Sequence, residues 1–107
     1  MAQDHKYNGW TNYETWAVKL WMDNEEPSYR YWRERAEQEY EAADEEFTKR
    51  GNATFALADS IKEQHEEALP ELEGFASDLL RGAFSEVNWH EIAESLIGDH
   101  VAEAVTA

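Results

Sequence analysis

Residues 85–97, which read SEVNWHEIAESLI, carry the most specific local signal for secondary structure in the chain. Asn88 is a favoured helix N-cap. Glu91 follows three residues later, where its carboxylate can accept a hydrogen bond from the backbone N–H of Asn88. Val87 and Ile92 flank the cap and can form a hydrophobic staple. Apolar residues then recur at helical spacing: Trp89, Ile92, Ala93, Leu96 and Ile97. The stretch therefore predicts an amphipathic helix.

A similar pattern near the N-terminus predicts the first helix. Thr11 is expected to be its N-cap, with Glu14 in the position that completes a capping box. An apolar stripe then recurs at i, i+3, i+4, i+7 and i+8: Tyr13, Trp16, Ala17, Leu20 and Trp21. We expect this stripe to anchor the helix in a small core, and the helix to end near Asn24. Residues 1–9 are expected to form a flexible lead-in.

The second helix is predicted to be the longest, from about Pro27 to Arg50. Asn24 can cap it, Pro27 is tolerated in its first turn, and Gly51 is a favoured residue just beyond a helix C-terminus. Its apolar stripe consists of Tyr29, Trp32, Ala36, Tyr40, Ala43 and Phe47. At about 100° per residue these side chains share one face of the helix.

Two further helices are predicted before residue 85. After a short connection over residues 51–54, one carries Leu57, Ala58, Ile61, His65 and Ala68, and Pro70 marks its end. The next, over residues 72–84, is apolar on more than one face and is expected to be central. No alternation of apolar and polar residues bounded by hairpin turns predicts a strand. The expected fold is all-α, a compact bundle of four to five helices in a single domain over residues 10–107.

Composition and motifs point away from an enzyme. The 107 residues include no cysteine, so disulfides and thiolate metal sites are excluded. His90-Glu91 resembles the start of the zinc motif H-E-x-x-H, but position 94 is Glu where the second His belongs. No Gly-rich phosphate loop, signal peptide or apolar run of about 20 residues is present. We expect no catalytic residue, no cofactor, no metal and no membrane contact, and a cytoplasmic protein.

The net charge is the unusual property of the composition. The chain has 24 acidic and nine basic residues, which gives −15 at pH 7. The two halves differ, because residues 51–107 hold twelve acids and only two bases. The electrostatic field of so negative a protein repels nucleic acid and anionic membranes and attracts basic surfaces. The simplest alternative role of this negative charge is to keep the protein in solution.

The acids are densest over residues 34–46, where seven carboxylates accompany one base, Arg35. On a continuous helix this run would be about 20 Å long, with one net negative charge per ~3.3 Å, close to the ~3.4 Å spacing of charges along one DNA strand. A second acidic patch follows on the third helix. The candidate partner-binding residues are Glu34, Glu37, Glu41, Asp44 and Glu45 in the first patch and Asp59, Glu63 and Glu67 in the second.

Two aromatic features allow other interpretations. Residues 30–35, RYWRER, combine bases with aromatic rings and could bind single-stranded nucleic acid. Ion pairs at i, i+4 within the helix explain these bases better, so we expect no direct contact with nucleic acid. Tyr7, Trp10 and Tyr31 lie off the apolar stripes, and Tyr and Trp are enriched at interface hot spots.

Residues 8–16, NGWTNYETW, and residues 85–93, SEVNWHEIA, resemble the opening and closing motifs of a family of short proteins found in phages, plasmids and some prokaryotic genomes. That family has no established activity, so the resemblance implies a mobile-element context and assigns no functional residue. Most residues of both motifs are also explained as helix caps, staples and stripe positions.

These observations lead to one functional hypothesis and one alternative. The hypothesis is a non-enzymatic inhibitor or decoy that presents carboxylates in place of DNA phosphates, and so occupies the basic groove of a host restriction, CRISPR-type or repair protein. The alternative is an adaptor or homodimer that uses a Tyr/Trp-rich surface, with acidity serving solubility.

Overall fold

The computed structural model describes residues 6–45 and 48–101. Within these ranges the chain forms five α-helices: α1 (Tyr13–Asn24), α2 (Glu26–Ala42), α3 (Lys49–Glu67), α4 (Gly74–Ser85) and α5 (Trp89–His100). The described residues contain no strand, apart from a single antiparallel bridge between Tyr7 and Trp10. The predicted all-α bundle is therefore confirmed. Glu46 and Phe47, which were assigned to the second helix, lie outside the described residues.

Helices α2, α3 and α5 form the core, because each packs extensively on the other two, while α1 packs on α2 and α5. The predicted stripes of these three helices are confirmed at most positions. The buried core residues that they contribute are Trp32, Ala36, Tyr40, Ala53, Leu57, Ala58, Ile61, Ile92, Ala93, Leu96 and Ile97.

A row of rings crosses the core where the three helices meet. The His65 ring lies between Trp32 and Trp89, with centroid distances of 5.9 Å and 5.7 Å. Phe84 of α4 contacts Trp89 at 4.9 Å. One residue from each core helix thus contributes a ring to this row of aromatic contacts, in which Trp32 and His65 are stacked and His65 and Trp89 are tilted.

The second helix is shorter than predicted. It begins at Glu26 after an N-cap residue, Glu25, that makes no side-chain cap bond, so Asn24 ends α1 and does not cap α2. It ends at Ala42 and not at Arg50. Carboxylates near a helix C-terminus are unfavourable because the helix dipole is negative there, and the acids after residue 40 impose that cost.

The third helix begins earlier than predicted, at Lys49. The Thr48 hydroxyl accepts a hydrogen bond from the Gly51 N–H at 2.9 Å, so Gly51 lies in the first turn of α3 and does not close α2. A Cβ at residue 51 would lie 2.6 Å from Thr48 Oγ1, which explains the glycine. The Lys49 ammonium donates to the carbonyls of Glu41 (3.4 Å) and Ala43 (3.2 Å) and so helps to cap α2.

The first helix presents a different face to the core from the one predicted. Its buried residues are Thr15, Lys19 and Met22. Tyr13 and Trp21, from the predicted stripe, are 54% and 66% exposed. The stripe prediction for α1 is therefore wrong, because a polar side of this helix is paired by specific hydrogen and ionic bonds when it packs against the core.

The fourth helix is peripheral, although a central position was predicted. None of its residues is buried, and Phe75 and Leu79 are 78% and 67% exposed. The prediction of a central position was wrong: α4 has apolar residues on more than one face, but only the side with Leu80 and Phe84 lies against the bundle.

The described part of the lead-in is a tight turn. Tyr7 and Trp10 exchange two backbone hydrogen bonds of 2.8 Å around Asn8 and Gly9, whose φ angles are 49° and 87°. Asn-Gly is the favoured pair for a turn with two positive φ angles. The described part of the predicted lead-in thus contains a hydrogen-bonded turn, and residues 1–5 lie outside the described part.

Candidate functional site

The two sequence motifs meet in the fold and cap each other's helices. Asn12, not Thr11, is the N-cap of α1, and its side-chain oxygen accepts from the N–H of Thr15 at 2.9 Å. Asn88 caps α5 as predicted, by accepting from the N–H of Glu91 at 3.0 Å. The caps lie side by side, because the Asn88 N–H donates to Thr15 Oγ1 at 2.8 Å and the Asn12 amide donates to the Glu86 carbonyl at 2.7 Å.

Two further hydrogen bonds complete this network. The Asn88 amide donates to Thr11 Oγ1 at 3.2 Å, and the Thr11 N–H donates to the Glu91 carboxylate at 3.0 Å. Glu91 therefore accepts from the other motif and does not close the local capping box that the sequence predicted. Most polar residues of both motifs are occupied in holding α1 on α5, which is a structural role.

A buried lysine completes the contact between α1 and the core. Lys19 is 7% exposed, and its ammonium lies 2.6 Å from the Asp23 carboxylate and 5.9 Å from the centre of the Trp10 ring. An opposite charge and an aromatic face both compensate for the loss of water around the ammonium. Sequence periodicity missed this residue because a lysine interrupts the apolar pattern on that side.

The outer side of α1 carries a cluster of aromatic rings. The turn brings Tyr7 over the helix, where its ring lies 5.2 Å from Tyr13 and 4.9 Å from Trp16. Leu20 and Trp21 continue this side along α1, and both are exposed. We call Tyr7, Tyr13, Trp16, Leu20 and Trp21 the aromatic face. Of the off-stripe residues noted in the sequence, Tyr7 belongs to this face, while the Tyr31 hydroxyl donates to Gln64 on α3 at 3.0 Å.

The structure brings three of the eight predicted partner-binding carboxylates together. Glu34, Glu37 and Glu41 line a groove of ≈ 790 Å³ between the outer side of α2 and the end of α5. We call this the acidic groove; its remaining lining residues are Gln38, Ala42, His100 and Val101. Among the described residues, the three carboxylates form no ion pair, whereas Glu26 and Glu39 on the same helix pair with Arg30 at 3.1 Å and Arg35 at 2.7 Å.

The other five predicted residues lie apart from the acidic groove. Asp44 and Glu45 follow the end of α2, and the Asp44 carbonyl accepts from the Asn52 amide at 2.6 Å. Asp59 lines a separate cleft beside the two N-terminal caps. Glu63 and Glu67 are exposed on α3, which packs along the Arg35 side of α2. The predicted helical continuity of the acidic run is therefore wrong over residues 43–45, and Glu63 and Glu67 of the second patch lie outside the acidic groove.

Most basic and aromatic residues of the segment 30–35 have structural partners; the exception is Arg33, which is exposed and, within the described residues, does not form the predicted ion pair with Glu37. Arg30 and Arg35 form the predicted i, i+4 ion pairs, Arg35 also donates to the Ser60 hydroxyl at 3.0 Å, and Trp32 is buried. Ring and charge are thus used within the bundle. Over residues 6–45 and 48–101 there is no group of three or more potential metal ligands, and none of the five helices has the length and apolarity needed to cross a membrane.

One family model matches residues 3–105, nearly the whole chain. The chain belongs to DUF7249, a family of unknown function. No curated protein and no solved structure matches it. For this DUF7249 protein, the candidate functional site is therefore defined by its own surface: the acidic groove on α2 and the aromatic face on α1.

Proposed function

We propose that this DUF7249 protein is a non-enzymatic inhibitor or decoy that binds the basic groove of a nucleic-acid-binding protein. The observation that supports it is the acidic groove, where the carboxylates of Glu34, Glu37 and Glu41 line one surface and form no ion pair among the described residues, although the Lys49 ammonium lies 3.4 Å from the Glu41 carbonyl. A mobile-element origin and action in the host cytoplasm, on a restriction, CRISPR-type or repair protein, are parts of the same proposal.

The geometry favours charge attraction over a copy of the DNA strand. Glu34 and Glu41 are seven residues apart, or about 10 Å along the helix, so the three carboxylates give one charge per ~5 Å, compared with ~3.4 Å along a DNA strand. The net charge of −15 adds a long-range field that accelerates encounter with a basic surface.

The first prediction concerns Glu34→Gln/Glu37→Gln/Glu41→Gln. We expect it to slow association with a basic partner and to flatten the salt dependence of binding, because steering depends on charges at the interface. The measurement is stopped-flow association with the partner recovered from a host lysate, over a range of salt concentrations. A second readout is release of a labelled DNA duplex from that partner.

The matched control is Glu14→Gln/Glu25→Gln/Glu94→Gln, which changes the net charge by the same amount outside the acidic groove and outside both predicted patches. If the association rate falls by the same factor in the two triple variants, total charge and not the groove controls binding. If neither changes it, the proposed function is wrong.

A second candidate function is supported by the aromatic face of α1. Trp21 is 66% exposed and Tyr13 54% exposed, and they lie beside Tyr7 and Trp16 in one cluster. Large aromatic rings are the residues that most often dominate binding free energy. This face suits an adaptor or a homodimer, the alternative that the sequence left open.

The second prediction tests that candidate with Tyr13→Ser/Trp21→Ser. If the aromatic face is the interface, this variant loses a complex that survives high salt, since apolar contacts are not screened. Sedimentation velocity of the protein alone detects a homodimer, and the same measurement with the recovered partner detects an adaptor complex. Retention of every complex by the variant would leave the acidic groove as the better candidate.

A further inference from the structure

Helix α4 contributes less to the core than any other helix. Each of the other four has at least three buried residues, and α4 has none. Its contacts with the other helices are slight, and its N-cap residue, Glu73, forms no side-chain cap bond. Residues 68–73 and 86–88 join it to α3 and α5. The helix is thus attached to the bundle mainly by one side and by its two connections.

The free side of α4 is an apolar stripe. Phe75 and Leu79 lie one turn apart and are 78% and 67% exposed. Gly82 and Ala83 follow Leu79 at i+3 and i+4, are exposed, and add no polar group to this side. Leu72, just before the helix, is also exposed. The opposite side, which lies on the bundle, consists of half-buried residues: Ala76, Ser77, Leu80 and Phe84.

Carboxylates border this stripe. Those exposed on α4 and its connections are Glu71, Glu73, Asp78 and Glu86. Arg81, the one base of α4, is about 200° around the helix from Leu79 and lines clefts on the side facing α3. A surface complementary to the stripe is therefore apolar in the middle and basic at its rim.

We propose that α4 is a docking helix, which inserts Phe75 and Leu79 into an apolar groove rimmed by Lys and Arg side chains on a partner protein. Amphipathic helices bind grooves through anchors at i, i+3 or i+4, and i+7, and Phe75 and Leu79 supply two such anchors at i and i+4. The inference goes beyond the proposed function, because α4 lies outside the acidic groove and its apolar anchors bind independently of charge screening.

Charge disfavours two other occupants of the stripe. A second copy would place two sets of bordering carboxylates against each other, in molecules that each carry −15, and no base lies on this side of α4 to offset the repulsion. An anionic membrane surface is repelled for the same reason. A basic partner is attracted by the same carboxylates.

A synthetic helix tests the proposed chemistry. The probe is a fluorescein-labelled peptide of about 14 residues, made of Leu and Lys, with the leucines in one helical stripe so that it presents an apolar surface rimmed by ammonium groups. Fluorescence anisotropy with the full chain is measured at about 0.5 M NaCl, where exposed charges are screened beyond a few Å. We expect the wild-type protein to bind and Phe75→Ser/Leu79→Ser to bind at least about tenfold more weakly.

Three controls make the result specific. Tyr13→Ser/Trp21→Ser, in the aromatic face, should bind the peptide as the wild type does, and so should Glu34→Gln/Glu37→Gln/Glu41→Gln at this salt. A peptide of the same composition with leucines distributed around the helix should not bind. Glu71→Lys/Glu86→Lys keeps the apolar stripe and should weaken binding at low salt, which tests the basic rim without touching an apolar side chain.

The proposal is overturned if Phe75→Ser/Leu79→Ser binds the striped peptide unchanged, or if both peptides bind equally well. It is also overturned if the wild type alone sediments as a dimer that this variant abolishes, because the occupant is then a second copy. Failure of the acidic groove has a different signature: loss of the difference between the two triple Gln variants, with peptide binding to α4 unaffected.

Discussion

Helices α4 and α5 are neighbours in the chain and have the same length, twelve residues each, yet they have opposite places in the fold. In α5, Ile92, Ala93, Leu96 and Ile97 are buried, whereas no residue of α4 is. Asn88 caps α5 through its side chain and joins it to α1, whereas Glu73, at the equivalent place in α4, makes no such bond.

The difference shows that apolar content alone does not decide which helix becomes core. Both helices have an apolar stripe, but only α5 has polar groups at its N-terminus that fix its position relative to another helix. Hydrogen bonds between two caps have narrow geometry, so they select one arrangement of α1 and α5. The apolar stripe of α4 has no equivalent bond to direct it inward, and it remains available to another molecule.

The largest difference in stability between α4 and α5 variants is expected when the same substitution, Leu→Ala, is made in each helix. Leu96→Ala should cost about 2–5 kcal/mol in the free energy of unfolding, because the side chain is 1% exposed and its removal leaves a cavity. Leu79→Ala should change it by less than ~0.5 kcal/mol. Urea unfolding followed by circular dichroism gives both values. Equal losses would show that α4 is part of the cooperative core.

The two N-caps should differ by a smaller amount. Asn88→Ala should destabilise the protein by about 1–2 kcal/mol, since it removes the cap of α5 and the bond to Thr11. Glu73→Ala removes no side-chain cap bond and should be nearly neutral. A double-mutant cycle with Asn12→Ala measures how strongly the two caps are coupled. Additive effects of the two substitutions would mean that the caps act independently.

The smallest contrast is between two helical glycines. Gly82→Ala in α4 should stabilise that helix by roughly 0.4–1 kcal/mol, because the added Cβ meets nothing within 4 Å and alanine restricts the unfolded chain. In α5, a Cβ at residue 98 would lie 3.1 Å from Arg50 Nη2, so Gly98→Ala should gain less or destabilise. Amide hydrogen exchange resolves the local change in each helix. A larger gain in stability from Gly98→Ala than from Gly82→Ala would contradict this prediction.

The fold class and the three core helices could be predicted from the sequence, because their apolar stripes have a single dominant face. Trp32, Leu57 and Ile92 are buried as their spacing indicates. The N-cap Asn88 was equally predictable, since Asn, Glu and the flanking apolar residues all favour the same helix start.

The remaining elements depend on contacts between distant residues, which a local pattern does not contain. The contact side of α1 includes Thr15, whose hydroxyl accepts a hydrogen bond from Asn88, 73 residues away. It also includes Lys19, which has the nearby partners Asp23 and Trp10 and is buried only because α1 packs with this side on the core. For this reason the aromatic side of α1 was wrongly placed in the core.

The extent of the acidic helix was also predicted incorrectly. The acidic run was predicted to lie on one continuous helix, and this holds for Glu34, Glu37 and Glu41 on α2 but not for Asp44 and Glu45, because Thr48 begins a new helix. Recognising Thr48 as an N-cap would have ended α2 earlier in the prediction.

The bonds between the two motifs also impose an order on synthesis. They connect residues 73 to 80 positions apart, so Asn12 and Thr15 have no partners from the second motif until the ribosome has translated Glu86 and Asn88. Closing a segment of this length costs conformational entropy, which those bonds must offset together. The contact of α1 with α5 therefore forms only after the second motif has been made, whereas α1 can pack on α2 before then. A chain that terminates before residue 86 would lack the hydrogen bonds that join α1 to α5.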